Sequence, residues 1–84
     1  MRVKKVLLGE NMNFSVIVFR ARTETLSFAN LLGSYRVPFQ IINTPRNLNV
    51  SCGISVKFPS AQRHIVQEIL SKRAFSSFVG IFPL

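Results

Sequence analysis

The sequence predicts an α+β fold in which a four-stranded antiparallel sheet carries two helices on one face. Short runs rich in β-branched and aromatic residues alternate with two segments of helical periodicity, in the order β-α-β-β-α-β. The hydrophobic content of 48%, with eight Phe among 84 residues, favours a packed core over disorder. Helices on one face of an antiparallel sheet are the simplest packing for this order of elements.

The first half of the chain begins with a strand over Asn13–Arg20, whose apolar centre suits a central position in a sheet. A helix is predicted from Thr23 to about Tyr35, and Gly33 near its end suggests fraying or a stop. Its buried stripe is expected to comprise Leu26, Phe28, Ala29, Leu31 and Leu32. A second strand spans Val37–Asn43, and Pro38 belongs at its start or on an exposed edge because proline has no N–H.

The second half contains a strand of strict alternation, Gly53–Phe58. Period two places Ile54, Val56 and Phe58 inward and Ser55 and Lys57 towards solvent. A second helix is expected to start with Ser60 as N-cap. Its buried face would comprise Ile65, Val66, Ile69 and Leu70, and Ser77–Phe82 forms the last strand.

These elements together describe a ferredoxin-like plait, in which the first and third strands are central. The predicted domain covers residues 13–84, and residues 1–12 are expected to form an N-terminal arm. The chain contains no apolar run near the roughly 20 residues of a membrane span, so a cytoplasmic protein without membrane association is predicted.

The charge and the cysteine count limit the classes of function. Eleven Lys and Arg against three acidic residues give a net charge of +8, which favours an acidic partner surface or an anionic small molecule. One cysteine excludes an internal disulfide, and Cys52 with His64 cannot supply a tetrahedral zinc site. Neither a cofactor nor a metal is expected. A catalytic carboxylate pair, a Ser-His-Asp set and a phosphate-binding glycine loop are all missing, so a carrier or binding protein is favoured over an independent enzyme.

The segment between the second and third strands holds the candidate site. Thr44-Pro45-Arg46-Asn47 has turn chemistry, and Ser51-Cys52-Gly53 leads into the next strand. A thiol here could act as a carrier if Arg46 stabilised its thiolate and Ser51 and Gly53 shaped the turn. Gly53 would permit a positive φ or a close approach. The alternative is that Cys52 is a small buried hydrophobe on the face of Ile54 and Val56.

The motifs Thr44-Pro45-Arg46 and Ser51-Cys52-Gly53 resemble those of the selenium/sulfur carrier protein-like family of small bacterial proteins. The resemblance covers most of residues 14–82. It implies that Cys52 carries sulfur or selenium as a persulfide-bearing thiol, with Thr44, Arg46, Ser51 and Gly53 contacting the substrate. Arg36 stands where the family often ends the first helix with glycine, and a non-glycine residue at positive φ is strained.

Three functions follow from these observations. The first is a carrier or adaptor in sulfur-selenium trafficking, which takes sulfur from a cysteine desulfurase-like donor and passes it to an acceptor protein. The second is a small-anion-binding regulatory module at Arg46, for which a homodimer is one arrangement. The third and weakest is a nucleic-acid-binding module, because the third strand would present Ser55 and Lys57 outward instead of the aromatic residues that stack on bases.

Overall fold

The computed structural model describes residues 13–48 and 53–84. The strands are β1 (Phe14–Phe19), β2 (Gln40–Asn43), β3 (Ile54–Pro59) and β4 (Phe78–Pro83), and the helices are α1 (Arg22–Ser34) and α2 (Arg63–Lys72). Two short 3₁₀ turns span Arg46–Leu48 and Ser60–Gln62. The predicted order of elements is confirmed. Neither described helix is long and apolar enough to cross a membrane.

The sheet has the strand order β2-β3-β1-β4, and every neighbouring pair is antiparallel. The prediction of a ferredoxin-like plait with β1 and β3 at the centre is therefore confirmed. β1 is central because Val16, Ile17, Val18 and Phe19 are all fully buried, so it needs cover on both faces.

The main core lies between the sheet and the helices. Strand residues Ile17, Phe19, Val56 and Phe58 pack there against residues of α1 and α2, which include Phe28, Leu32, Val66 and Ile69. The Phe19 ring has three aromatic neighbours, Phe28, Phe75 and Phe78, with ring centroids 5.3, 5.2 and 5.9 Å away. These tilted ring pairs join α1, the turn after α2 and β4 to the central strand β1.

The buried stripe of α1 differs from the prediction at Leu26, which is 43% exposed. Thr25 takes the inward position instead, where its hydroxyl donates to the Ala21 carbonyl at 3.2 Å. Successive helical residues are about 100° apart, so an inward Thr25 turns Leu26 towards the flank. A threonine whose hydroxyl is hydrogen-bonded to a carbonyl of the preceding turn can face the core. The prediction from residue polarity was therefore wrong in placing Leu26 inward.

The end of α1 lies at Ser34, one residue after Gly33 and close to the predicted end at about Tyr35. The Val37 N–H donates to the Leu32 carbonyl and the Arg36 N–H to the Gly33 carbonyl, both at 3.0 Å. These two bonds form a Schellman motif, whose left-handed residue is Arg36 at φ 63°. The expected strain at Arg36 is confirmed. Val37, which is 3% exposed, packs in the core with Leu32, so β2 begins only at Gln40.

The start of α2 also departs from the prediction. Ser60 opens a 3₁₀ turn and makes no capping bond, and α2 begins at Arg63 after the uncapped Gln62. The Ser60 hydroxyl is instead 2.7 Å from the hydroxyl of Ser15, a residue of β1 that is 3% exposed. A tertiary partner thus replaces the local cap, because the buried Ser15 hydroxyl needs a hydrogen bond.

Candidate functional site

The connection between β2 and β3, residues 44–53, leaves and re-enters the sheet at one point. Asn43 and Ile54 are the last paired residues of the two strands, and the Thr44 N–H then donates to the Gly53 carbonyl at 3.1 Å. The hydroxyl oxygens of Thr44 and Ser55 are 2.7 Å apart. The base of the connection is therefore closed by one backbone and one side-chain hydrogen bond.

The first part of the connection lies on the side of the sheet that carries no helix. Ile17 and Val56 face the helices, so the neighbouring residues Val16, Ser55 and Lys57 point to the opposite side. The 3₁₀ turn Arg46–Leu48 is closed by a bond from the Leu48 N–H to the Pro45 carbonyl at 3.1 Å. A cavity of about 200 Å³ there is lined by Val16, Pro45, Asn47, Leu48, Pro83 and Leu84. This first part of the connection thus lies beside the central strand and the residues at the end of β4 and just after it.

Ser55 corrects the prediction of a strand with one wet face. Its side chain is on the predicted face, but it is 0% exposed and hydrogen-bonded to Thr44. Alternation along a strand assigns the side to which a residue points and says nothing of what covers that side. Ser55, which anchors Thr44, is therefore a residue of the site that the strand pattern did not predict.

Arg46 is an exposed cation in this connection. Within residues 13–48 and 53–84 the only ion pair joins Lys72 Nζ to Glu68 Oε2 at 3.0 Å, and this hydrogen bond raises the pKa of Lys72. The other described acid, Glu24, accepts bonds from Ser76 and Ser77. No described carboxylate neutralises Arg46, which leaves its guanidinium available to an anion.

The carboxylate of Glu24 joins the first turn of α1 to the turn before β4. The Ser77 hydroxyl and N–H both donate to its Oε1, the latter at 2.8 Å, and the Ser76 N–H donates to Oε2 at 3.1 Å. These bonds, led by the one from the Ser77 hydroxyl, lower the pKa of Glu24. Glu24 is therefore committed to holding the fold and contributes no general base to the candidate site.

The predicted site residues have separate outcomes. Thr44 and Gly53 meet at the base of the connection, and Arg46 lies in its 3₁₀ turn without an ion pair to another described residue. Among the described residues Gly53 shows no positive φ, and no described atom outside its chain neighbours lies within 4 Å of where a Cβ would be, so its contact with a substrate stays a prediction. Ser51 and Cys52 lie outside the described residues, and their roles stay predictions.

Comparison with known families bears on this geometry. Residues 14–76, well over half of the chain, match the family described as "Putative Se/S carrier protein-like". The chain belongs to this family. The matched span runs from β1 through the β2–β3 connection to the turn before β4. The positions of all the predicted site residues therefore lie within it. No curated protein and no solved structure matches the chain.

Proposed function

We propose that this protein is a sulfur or selenium carrier, or an adaptor in sulfur-selenium trafficking, with Cys52 as the thiol that bears the transferred atom. The observation that carries the proposal is membership of the Se/S carrier-like family across the segment that contains Cys52. The closed base of the β2–β3 connection supports it, because hydrogen bonds from Thr44 to Gly53 and Ser55 hold together the two ends of the segment that contains Cys52.

The transfer consists of two thiol-exchange steps. The Cys52 thiolate attacks the terminal sulfur of a persulfide on a cysteine desulfurase-like donor, whose S–S bond breaks as the donor leaves as a thiolate. An acceptor thiolate then attacks the terminal sulfur on Cys52, and Cys52 returns to its thiolate form. The atom moves at the oxidation state of a persulfide throughout, so neither step needs an added oxidant or reductant.

The cation in the same connection supports the proposal. Arg46 has no described carboxylate partner and stands six residues before Cys52 in the sequence, and a guanidinium that comes close to a thiol favours its thiolate form. Because Cys52 is the only cysteine in the sequence, its persulfide has no second thiol in the chain to attack it. Persulfide exchange of this kind belongs in the cytoplasm, where thiols are kept reduced.

The proposed partners follow from the charge. The described residues carry eight Lys and Arg and two Glu, so their net charge is 8 − 2 = +6, and both acids already have internal partners. Donor and acceptor proteins with acidic surfaces around their reactive thiols would associate with this protein quickly at low ionic strength. Homodimerisation through sheet edges or faces stays a prediction, which sedimentation measurements test.

The test is the intact mass of the protein after incubation with a cysteine desulfurase and cysteine, without reductant. The wild type should gain the mass of one sulfur atom, which a thiol reductant removes, and Cys52→Ala should gain none. Selenocysteine with a selenocysteine-specific lyase tests selenium in the same way. Arg46→Gln should load more slowly than the wild type, whereas Arg63→Gln, which changes an exposed cation at the start of α2, should load at the wild-type rate.

An unchanged wild-type mass with a thiol that still reacts with iodoacetamide would overturn the carrier proposal. It would favour the small-anion-binding regulatory module, for which sulfate binding that depends on Arg46 and not on Cys52 is the matching result. A thiol that does not react in the folded protein would show that Cys52 is a buried hydrophobe.

A further inference from the structure

A second cavity lies at the far end of β2 from the connection. It measures about 250 Å³, and its apolar lining consists of Phe14, Pro38, Phe39, Phe58 and Pro59. Its polar lining consists of Lys57 and Gln40, which are directly paired across β2 and β3. This pair lies three residue steps from the end of the ladder at Asn43 and Ile54, which corresponds to about 10 Å along the strand. The cavity is therefore distinct from the candidate carrier site.

The ammonium group of Lys57 is the chemically active feature of this cavity. Lys57 Nζ lies 4.5 Å from the centroid of the Phe14 ring. This cation–π contact holds the ammonium beside the apolar lining without neutralising its charge. Lys57 forms no ion pair with a described residue, because Glu68 pairs with Lys72 and Glu24 binds the serines of the α2–β4 turn. An anion could therefore bind Lys57 without displacing a carboxylate of the protein.

The lining decides which kind of anion fits. One ammonium balances one negative charge, whereas phosphate groups are usually bound by several donors, such as helix N-termini or arginine forks. The Gln40 side chain is the cross-strand neighbour of Lys57 and can donate a second hydrogen bond through its amide. The rings of Phe14 and Phe39 and the two prolines offer apolar contact to a flat apolar body, whereas Phe58 belongs to the main core and is fully buried.

We propose that this cavity binds a small monocarboxylate with a flat apolar body, whose carboxylate contacts Lys57. The volume lies just below the 300–1,000 Å³ of pockets for drug-sized ligands, so the body is limited to about one ring. None of the described residues of the β2–β3 connection, 44–48 and 53, lines the cavity. The proposal therefore stands independently of whether Cys52 carries sulfur.

The test is a titration of isotope-labelled wild-type protein with benzoate at constant ionic strength, followed by the amide NMR signals. Saturable shifts are expected at Phe14, Gln40 and Lys57. Acetate has the charge without the ring and benzyl alcohol has the ring without the charge, so each should bind at least tenfold more weakly. Removal of the charge in Lys57→Met should weaken benzoate binding at least tenfold, and Lys57→Arg should retain most of it. Lys72→Met, which changes an exposed lysine of α2, should bind as the wild type does.

Three results would overturn the proposal: benzoate shifts that do not saturate, benzyl alcohol that binds as tightly as benzoate, or a Lys57→Met variant with unchanged benzoate affinity. The comparison of benzoate with benzyl alcohol uses only wild-type protein, so it decides the question even if a variant fails to fold.

Discussion

The hydroxyl pair of Thr44 and Ser55 closes the base of the β2–β3 connection, and its loss should be measurable as lost stability. The two oxygens are 2.7 Å apart, and Ser55 is 0% exposed. Thr44→Val preserves the shape of the side chain but removes the hydroxyl, so Ser55 loses its partner while buried. An unsatisfied buried hydroxyl costs about 1–3 kcal/mol, and we expect the free energy of unfolding to fall by this amount.

A double-mutant cycle isolates the interaction itself. Ser55→Ala alone should cost about 0.5–1.5 kcal/mol, because it leaves only the half-buried Thr44 hydroxyl, which water can reach. The double variant has no orphaned hydroxyl, so its cost should be smaller than the sum of the two single costs by about 0.5–1.5 kcal/mol. Urea unfolding followed by circular dichroism measures the free energy of unfolding of all four proteins. In thermal melts of the same proteins, each kcal/mol lost should lower the Tm by about 4–8 °C.

Ser15→Ala is the matched control, because it breaks the Ser15–Ser60 hydroxyl pair, also 2.7 Å long, near the opposite end of the sheet. Both Ser15→Ala and Thr44→Val should lower stability. Only Thr44→Val should change the rate at which iodoacetamide modifies Cys52, because only Thr44 bounds the connection that contains it. Strictly additive single costs in the Thr44–Ser55 cycle would refute the view that this pair anchors the connection.

Two further predictions concern Arg36 and Glu24. Arg36→Gly should raise the free energy of unfolding by about 0.5–1 kcal/mol, because relief of left-handed strain exceeds the entropy that glycine adds to the unfolded chain. Arg36→Ala keeps the strain while removing the charge, so an equal gain in urea unfolding for the alanine variant would show that charge is the cause. The lowered pKa of Glu24 means that its contribution to stability is complete above the ordinary carboxyl value of 4.5 and is lost as the pH falls through the lowered value. The difference in urea midpoint between wild type and Glu24→Gln should therefore shrink as the pH falls from about 6 to about 2, and a constant difference would contradict this assignment.

The order of elements and the central strands could be predicted because both are properties of local pattern. The apolar run from Val16 to Phe19 requires cover on both faces, and only an inner strand receives it. Arg36 could be predicted as a strained residue from the family resemblance. The predictions for Leu26 and Ser60 were wrong for a common reason, because both rested on residue polarity and not on the hydrogen bonds that hydroxyl groups make. The Thr25 hydroxyl bonds to the Ala21 carbonyl, so Thr25 faces inward. The Ser60 hydroxyl bonds to that of Ser15, so it does not cap α2.

The sequence alone determined the α+β class, the family and the position of Cys52 between two strands. The tertiary structure decided where the first part of the β2–β3 connection lies and that Ser55 is buried against Thr44. It also decided that the Lys57 ammonium contacts the Phe14 ring, although the two residues are 43 positions apart in the sequence. The physical reason is that periodicity fixes the side to which a residue points, whereas its neighbours on that side come from strand pairing across distant parts of the chain.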